Sequence, residues 1–289
     1  MKLREGTAMK EAATNQVQQL FDLSGRVAIV TGGAGLLGYH HGAILAAAGA
    51  HVVLLDLANA NPTTRAEQLT SAYGVDCLGL EADITNEASL LDVRNQIIRQ
   101  FGRIDILINN AANNPKVEDG DGQTWSRLEN FPLEVWEADI RVGLTGAFLC
   151  SRVFGSEMVT RKKGVIINVA SDLGVIAPDQ RLYRVDGLPE DKQPVKPVTY
   201  SVVKTGLIGL TRYLATYWSD ASIRVNAISP GGVLNGQPEA FLSRLEQLIP
   251  MGRMANRDEY QGAILFLCSD ASSYMTGTNL VIDGGRTCW

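Results

Sequence analysis

Short apolar runs alternate with longer amphipathic ones from residue 26 to residue 285, and this alternation limits the possible folds more than any other feature of the chain. "RVAIVTG" (26–32), "HVVLLD" (51–56), "DCLGLEAD" (76–83), "DILINNA" (105–111), "GVIINVAS" (164–171), "IRVNAISPGG" (223–232) and "NLVIDGG" (279–285) read as strands. Between them, "YHHGAILAAAGA" (39–50), residues 86–102 with Asn86 as N-cap, 133–161, the run around "VTYSVVKTGLIGL" (198–210) and roughly 257–269 read as helices. Strands buried on both faces need no polar alternation. Near-continuous apolar strands separated by helices therefore predict one α/β domain, a parallel sheet covered by helices on both faces.

The bulk numbers fit such a domain. The chain has 289 residues, a fifth of them charged, and a net charge of −5. That balance offers no basic stripe for nucleic acid. No apolar run reaches the length of a membrane span. The first 22 residues lack an apolar core followed by a small-residue cleavage site. They read as a polar, partly helical arm preceding a domain that runs from 23 to 289. Cys77, Cys150, Cys268 and Cys288 form no C-x-x-C pair, which suits free thiols in a reducing cytoplasm. His40 and His41 are adjacent and point about 100° apart on a helix, so they do not share a metal, and no metal site is expected.

Two features carry chemistry. "TGGAGLLG" (31–38) joins the first strand to the first helix, where a glycine turn and a helix N-terminus together receive a pyrophosphate. Asp56 ends the next strand, about twenty residues on. There a carboxylate accepts hydrogen bonds from adenosine ribose hydroxyls and repels a 2′-phosphate, which favours NAD over NADP. Its other reading is a cap for the turn that follows. Tyr200 and Lys204 stand four apart, one above the other on a helix. They are either a coincidence of composition or a phenol and a cation paired for proton transfer.

Seven segments, taken in order, resemble the short-chain dehydrogenases/reductases. They are "TGGAGLLG", "ADI" (82–84), "NNAA" (109–112), "SDLG" (171–174), "YSVVK" (200–204), "SPGG" (229–232) and "MTGTNLVIDGG" (275–285). The resemblance implies a Rossmann-type doubly wound sheet, with Tyr200 as acid/base, Lys204 as its partner and Ser171 as the serine that binds the substrate oxygen. A serine ending a strand also serves as a plain helix cap. By the same matching, Gly32, Gly35, Leu37 and Gly38 hold the dinucleotide, Tyr200 and Lys204 also contact it, the lysine at the nicotinamide ribose, and Asp83 and Ile84 flank the adenine. Asn110 meets the ribose through its backbone, and Pro230, Gly231 and Val233 pass along the nicotinamide. Lowering a tyrosine from near 10 to near 7 takes about 4 kcal/mol, which a lysine one turn away and a positive nicotinamide are of the right sign to supply.

The chain departs from the family pattern in places. Its glycines are spaced as in the extended members, which include nucleotide-sugar epimerases and dehydratases with tightly held NAD, although "VIDGG" closes it like a single-domain member. Gly143 stands where the family often has a relay asparagine, which leaves a catalytically weak dinucleotide-binding scaffold as another reading. "NNAA" replaces "NNAG". The long segment of about 172–199 is rich in proline and charge and reads as a loop insertion beside the catalytic residues. Arg181 and Arg184 are candidate substrate cations, with self-pairing to Asp179, Asp186 or Glu190 as the alternative. "KPVTYSVVKTGLIGLTRYLATYW" (196–218) is similar to oxidoreductases of bacterial surface-sugar and flagellin-sugar pathways. Together these imply an NAD(H)-dependent oxidoreductase acting on a secondary alcohol or ketone of a polar, sugar-like or polyol substrate. Its family also implies a homo-oligomer, a dimer or a tetramer.

Overall fold

The computed structural model describes residues 15–113 and 124–289. Seven parallel strands form one sheet in the order β3-β2-β1-β4-β5-β6-β7. They are β1 (Val27–Thr31), β2 (His51–Asp56), β3 (Cys77–Glu81), β4 (Ile106–Asn109), β5 (Gly164–Val169), β6 (Ile223–Pro230) and β7 (Asn279–Ile282). Register is regular throughout: Ile29 pairs with Val53 on one side and Leu107 on the other. The central strands are buried at every residue, as their unbroken apolar runs require.

Helices cover both faces. On one side α1 (Leu36–Ala47), α2 (Pro62–Tyr73) and α8 (Gln261–Cys268) pack over Ala28, Val30, Val52 and Ile106. On the other, α3 (Glu87–Phe101), α5 (Gly146–Arg161) and α6 (Val198–Tyr217) pack over Ile29, Val53, Leu107 and Val225. Asn86 caps α3, its Oδ1 accepting from Ser89 N–H at 3.3 Å, and Gly102 closes it in the left-handed region at φ 71°. Strand order reverses between β1 and β4, so a crevice opens at the carboxyl ends of those two strands. Open sheets of this kind bind ligands there.

Three elements differ from expectation. Helix α2 was not anticipated, nor was α7 (Glu239–Glu246). Both are short and bury few residues: Pro62, Ala66 and Leu69 in α2, and Leu245 in α7. The helix expected over 133–161 is interrupted. Helix α4 (Leu133–Ile140) gives way to a π turn at Arg141–Thr145 before α5 begins. Such turns often mark functional sites, and this one faces the crevice. Of the N-terminal arm, residues 15–21 are helical, and residues 1–14 lie outside the described residues.

Candidate active site

The glycine turn forms the floor of the crevice. Gly32 has φ 60°, and a Cβ there would lie 2.9 Å from Ala111 Cα. A Cβ on Gly38 would lie 2.1 Å from the Gly32 carbonyl oxygen, so only glycine lets α1 lean this close to the turn. Gly35 is the N-cap of α1 and supplies no side-chain cap. The first N–H groups of the helix, on Leu36, Leu37 and Gly38, thus lack the capping side chain that usually meets them. An uncapped helix start above a glycine turn fits a pyrophosphate.

Asp56 takes a backbone N–H on each carboxylate oxygen, as its cap reading expects. Its Oδ1 accepts from Leu57 N–H at 2.8 Å, and its Oδ2 accepts from Ala34 N–H at 3.0 Å. The carboxylate therefore braces the glycine turn and sits beside it at the end of β2. Asn110 stitches β4 to β1: its N–H donates to Thr31 Oγ1 at 3.0 Å, and its Nδ2 donates to the Thr31 carbonyl at 2.9 Å. Asp83 holds the turn after β3 through Thr85 N–H at 2.8 Å. Ile84 is buried and packs against Gly146, where a Cβ would lie 2.5 Å from Ile84 Cδ1. Pro230 ends β6, Gly231 N–H donates to the Ile282 carbonyl at 2.9 Å, and Val233 bridges to Ala255. The sequence-derived cofactor residues thus all lie at the carboxyl edge of the sheet.

Ser171, Tyr200 and Lys204 converge beside that edge. Ser171 follows β5 and is 4% exposed. The Tyr200 phenol, in the first turn of α6, is close enough to the serine for Ser171 to favour its ionised form. Lys204, one turn further along, is buried, and its Nζ donates to the Val169 carbonyl at 2.8 Å. A second cation is present: Lys196 Nζ stands 3.9 Å from the Tyr200 ring centroid, against 5.7 Å for Lys204. Tyr200, Lys204 and Lys196 line a cleft together with Asn113, Asp139 and Gly143. Thr199 Oγ1 donates to Asp139 Oδ2 and ties the start of α6 to α4.

Burial dominates the electrostatics. It holds the Tyr200 phenol above the ordinary tyrosine value, and Ser171 acts the other way. The lowering expected from Lys204 is therefore not a property of the protein alone. Burial also brings Lys204 down to about 8, with repulsion from Lys196 adding to it. Lys196 is likewise at about 8, lowered by burial and supported by Asp172 and Asp139.

Gly143 sits in the π turn. A Cβ there would lie 2.5 Å from Val203 Cγ1, so Val203 of α6 fills the room a side chain would need. The 172–199 segment is braced rather than loose. Gln193 bonds to the backbone of Val185 and Leu188, and Leu182 packs with Leu245, Ile249 and Met254. Arg181 pairs with Asp179 at 2.6 Å and Arg184 with Glu190 at 2.6 Å, both largely exposed, in the self-paired arrangement. Sequence reasoning missed one buried pair. Asp172 Oδ2 accepts from Arg286 Nη1 at 2.7 Å, and its Oδ1 accepts from Ser171 Oγ at 2.7 Å. The residues are 114 positions apart, and no local pattern joins them.

A family model described as short chain dehydrogenase matches residues 26–183, and one described as enoyl-(acyl carrier protein) reductase matches residues 191–287. The D-threitol dehydrogenase of Mycolicibacterium smegmatis is 32% identical over 284 residues, covering 96% of this chain and 99% of the relative. The NAD-dependent glycerol dehydrogenase of Listeria innocua is 33% identical over 272 residues, covering 92% and 96%. A gluconate 5-dehydrogenase from Burkholderia cenocepacia, crystallised with NADP and tartrate, has a TM-score of 0.82 at 27% identity, covering 94% of this chain and 99% of that one. Matched from the first strand to the last, the chain belongs to the short-chain dehydrogenases/reductases and is an oxidoreductase of that family.

Proposed function

We propose that this protein oxidises a secondary hydroxyl of a polyol or sugar-like substrate, and reduces the corresponding ketone, with NAD as the preferred dinucleotide. The observation that carries the reading is the convergence of Tyr200, Ser171 and Lys204 at the carboxyl edge of the sheet, the edge at which α1 starts without a side-chain cap. Relatives named for threitol and glycerol dehydrogenation support the substrate class. Relatives with NAD and with NADP both occur; Asp56, a carboxylate beside the glycine turn, supports NAD by repelling a 2′-phosphate.

Gly32, Gly35, Leu37, Gly38, Asp56 and Asn110 would hold the dinucleotide, with Asp83, Ile84, Pro230, Gly231 and Val233 along its length. A bound nicotinamide dinucleotide would supply the hydride acceptor for oxidation of the alcohol. Tyr200 takes the proton from the substrate hydroxyl, Ser171 orients that hydroxyl, and Lys204 sets the charge behind the phenol. All four cysteines are unpaired, which supports a cytoplasmic setting. The exposed Phe148, Val202, Tyr213 and Tyr217 support assembly into a homo-oligomer.

The test is a panel of glycerol, threitol, xylitol, mannitol and gluconate with NAD and NADP, followed by absorbance of the reduced cofactor. The highest kcat/KM is expected for a polyol with NAD, and Asp56→Ala should narrow the NAD/NADP ratio. Absence of turnover on every polyol and sugar acid would sink the reading, and a higher kcat/KM with NADP would sink the assignment of Asp56.

A further inference from the structure

We propose that Asp139 is a specificity-determining residue that accepts a hydrogen bond from a second hydroxyl of the substrate, an inference that rests on the polyol reading of the site given above. Asp139 lies near the end of α4 and is 6% exposed. It lines the cleft that Tyr200 and Lys204 also line. Of α4 and the π turn, only Asp139 and Gly143 reach that cleft among the described residues. Gly143 has no side chain, so Asp139 alone brings a polar group from this wall. One of its oxygens, Oδ2, accepts from Thr199 Oγ1. Thr199 immediately precedes Tyr200, so this bond holds the carboxylate beside the first turn of α6. The other oxygen, Oδ1, receives no hydrogen bond from any of the described residues. Asn113 shares the cleft but turns its Nδ2 to the Ala138 carbonyl, at 3.5 Å.

What such an oxygen binds follows from its chemistry. A carboxylate accepts hydrogen bonds and donates none. A buried acceptor left without a donor is costly. Its charge is not isolated, because Asp139 and the Lys196 cation it supports stand in the same cleft. The reacting hydroxyl gives its one proton to Tyr200 and cannot serve Asp139 as well. The donor is therefore another hydroxyl of the same molecule. A polyol brings one, and a simple secondary alcohol does not. The ketone formed from a polyol keeps this second hydroxyl, so Asp139 holds substrate and product alike. A site built to pair with a hydroxyl rejects the analogue that lacks it.

The test compares butan-2-ol with butane-2,3-diol and butane-1,3-diol, whose second hydroxyls lie one and two carbons from the secondary one, each with NAD. Wild-type kcat/KM should be about ten- to a hundredfold higher for at least one diol than for butan-2-ol. Where turnover of butan-2-ol is too slow to follow, the inhibition constants of the three against the best polyol give the same comparison. Asp139→Asn keeps an acceptor for Thr199 and puts an uncharged donor in the cleft, and Asp139→Ala removes both oxygens. In each, the preferred diol should lose about tenfold or more relative to butan-2-ol. Thr199→Val cuts the tie and leaves the carboxylate, so it should lower Tm and keep most of the diol preference. Asp139 variants that fold and keep the wild-type preference overturn the inference. So do equal losses on the alcohol and the diols, or an Asp139→Asn protein that does not fold, because Asp139 would then only tie α4 to α6. A wild-type enzyme that turns over polyols without preferring either diol to butan-2-ol overturns this inference alone. Absence of turnover on every polyol and sugar acid would remove the reading of the site, and this inference with it.

Discussion

Lys204 Nζ donates to the carbonyl of Val169 at 2.8 Å, two residues before Ser171 on the same strand end. One contact thus fixes the helix that carries Tyr200 to the strand that carries the serine. It also means that Lys204 acts in two capacities, as a cation behind the phenol and as a tie between α6 and β5.

Tyr200→Phe and Lys204→Ala should therefore fail differently. The phenylalanine removes only a hydroxyl, and the fold and NAD affinity should be nearly intact while turnover is lost. Lys204→Ala should depress turnover, NAD affinity and Tm together. A Tyr200→Phe enzyme that kept more than about a tenth of the wild-type rate would not be using this phenol as its acid/base.

Gly143 should prove to be a packing requirement. Placing asparagine or alanine there drives a Cβ to 2.5 Å from Val203 Cγ1. Overpacking of this kind costs about 1–3 kcal/mol. Thermal melts should show Gly143→Ala destabilised, with Val203→Ala restoring most of the loss in the double variant. Additive losses would mean that the two side chains do not compete for the same space.

The sequence made the strands legible because strands buried on both faces are written as apolar runs, and β2 begins and ends where "HVVLLD" does. Helical spacing made the juxtaposition of Tyr200 and Lys204 legible, and only the resemblance of the seven ordered segments gave the pair a role. Helix α2 escaped because two of its three buried residues, Pro62 and Ala66, are a proline and a small side chain, which leave little apolar contrast along the sequence. The π turn escaped because it arises where Gly143 meets Val203, a contact between two helices. Arg286 escaped for the same reason: its partner Asp172 is 114 residues away, and only the closed sheet brings them together.

Arg181 and Arg184 should matter little to substrate choice. Each is already paired, with Asp179 and Glu190, and Arg181 is 79% exposed. Exposed pairs contribute little. Arg181→Ala and Arg184→Ala should change kcat/KM by less than about twofold on both gluconate and a neutral polyol. A loss of about tenfold or more confined to gluconate would restore the anion clamp.

The pH dependence should be set by the two lysines at the cleft. kcat/KM for NAD reports groups in the free enzyme, and Lys204 in that state titrates at about 8 because it is buried and faces Lys196. A lysine is charged below its pKa. The charge on Lys204 is thus complete on the acid side and is lost as pH rises through about 8, and kcat/KM for NAD should fall over that range. Lys196→Met gives the sharper check. It removes a neighbouring cation whose repulsion lowers Lys204, so the alkaline fall should move to higher pH. Lys196→Arg keeps a cation there and should leave the fall close to its wild-type position. If neither variant moves the alkaline limb, Lys204 is not the group that titrates. If the wild-type profile stays flat to well above 8, the charge on Lys204 is not needed for NAD capture.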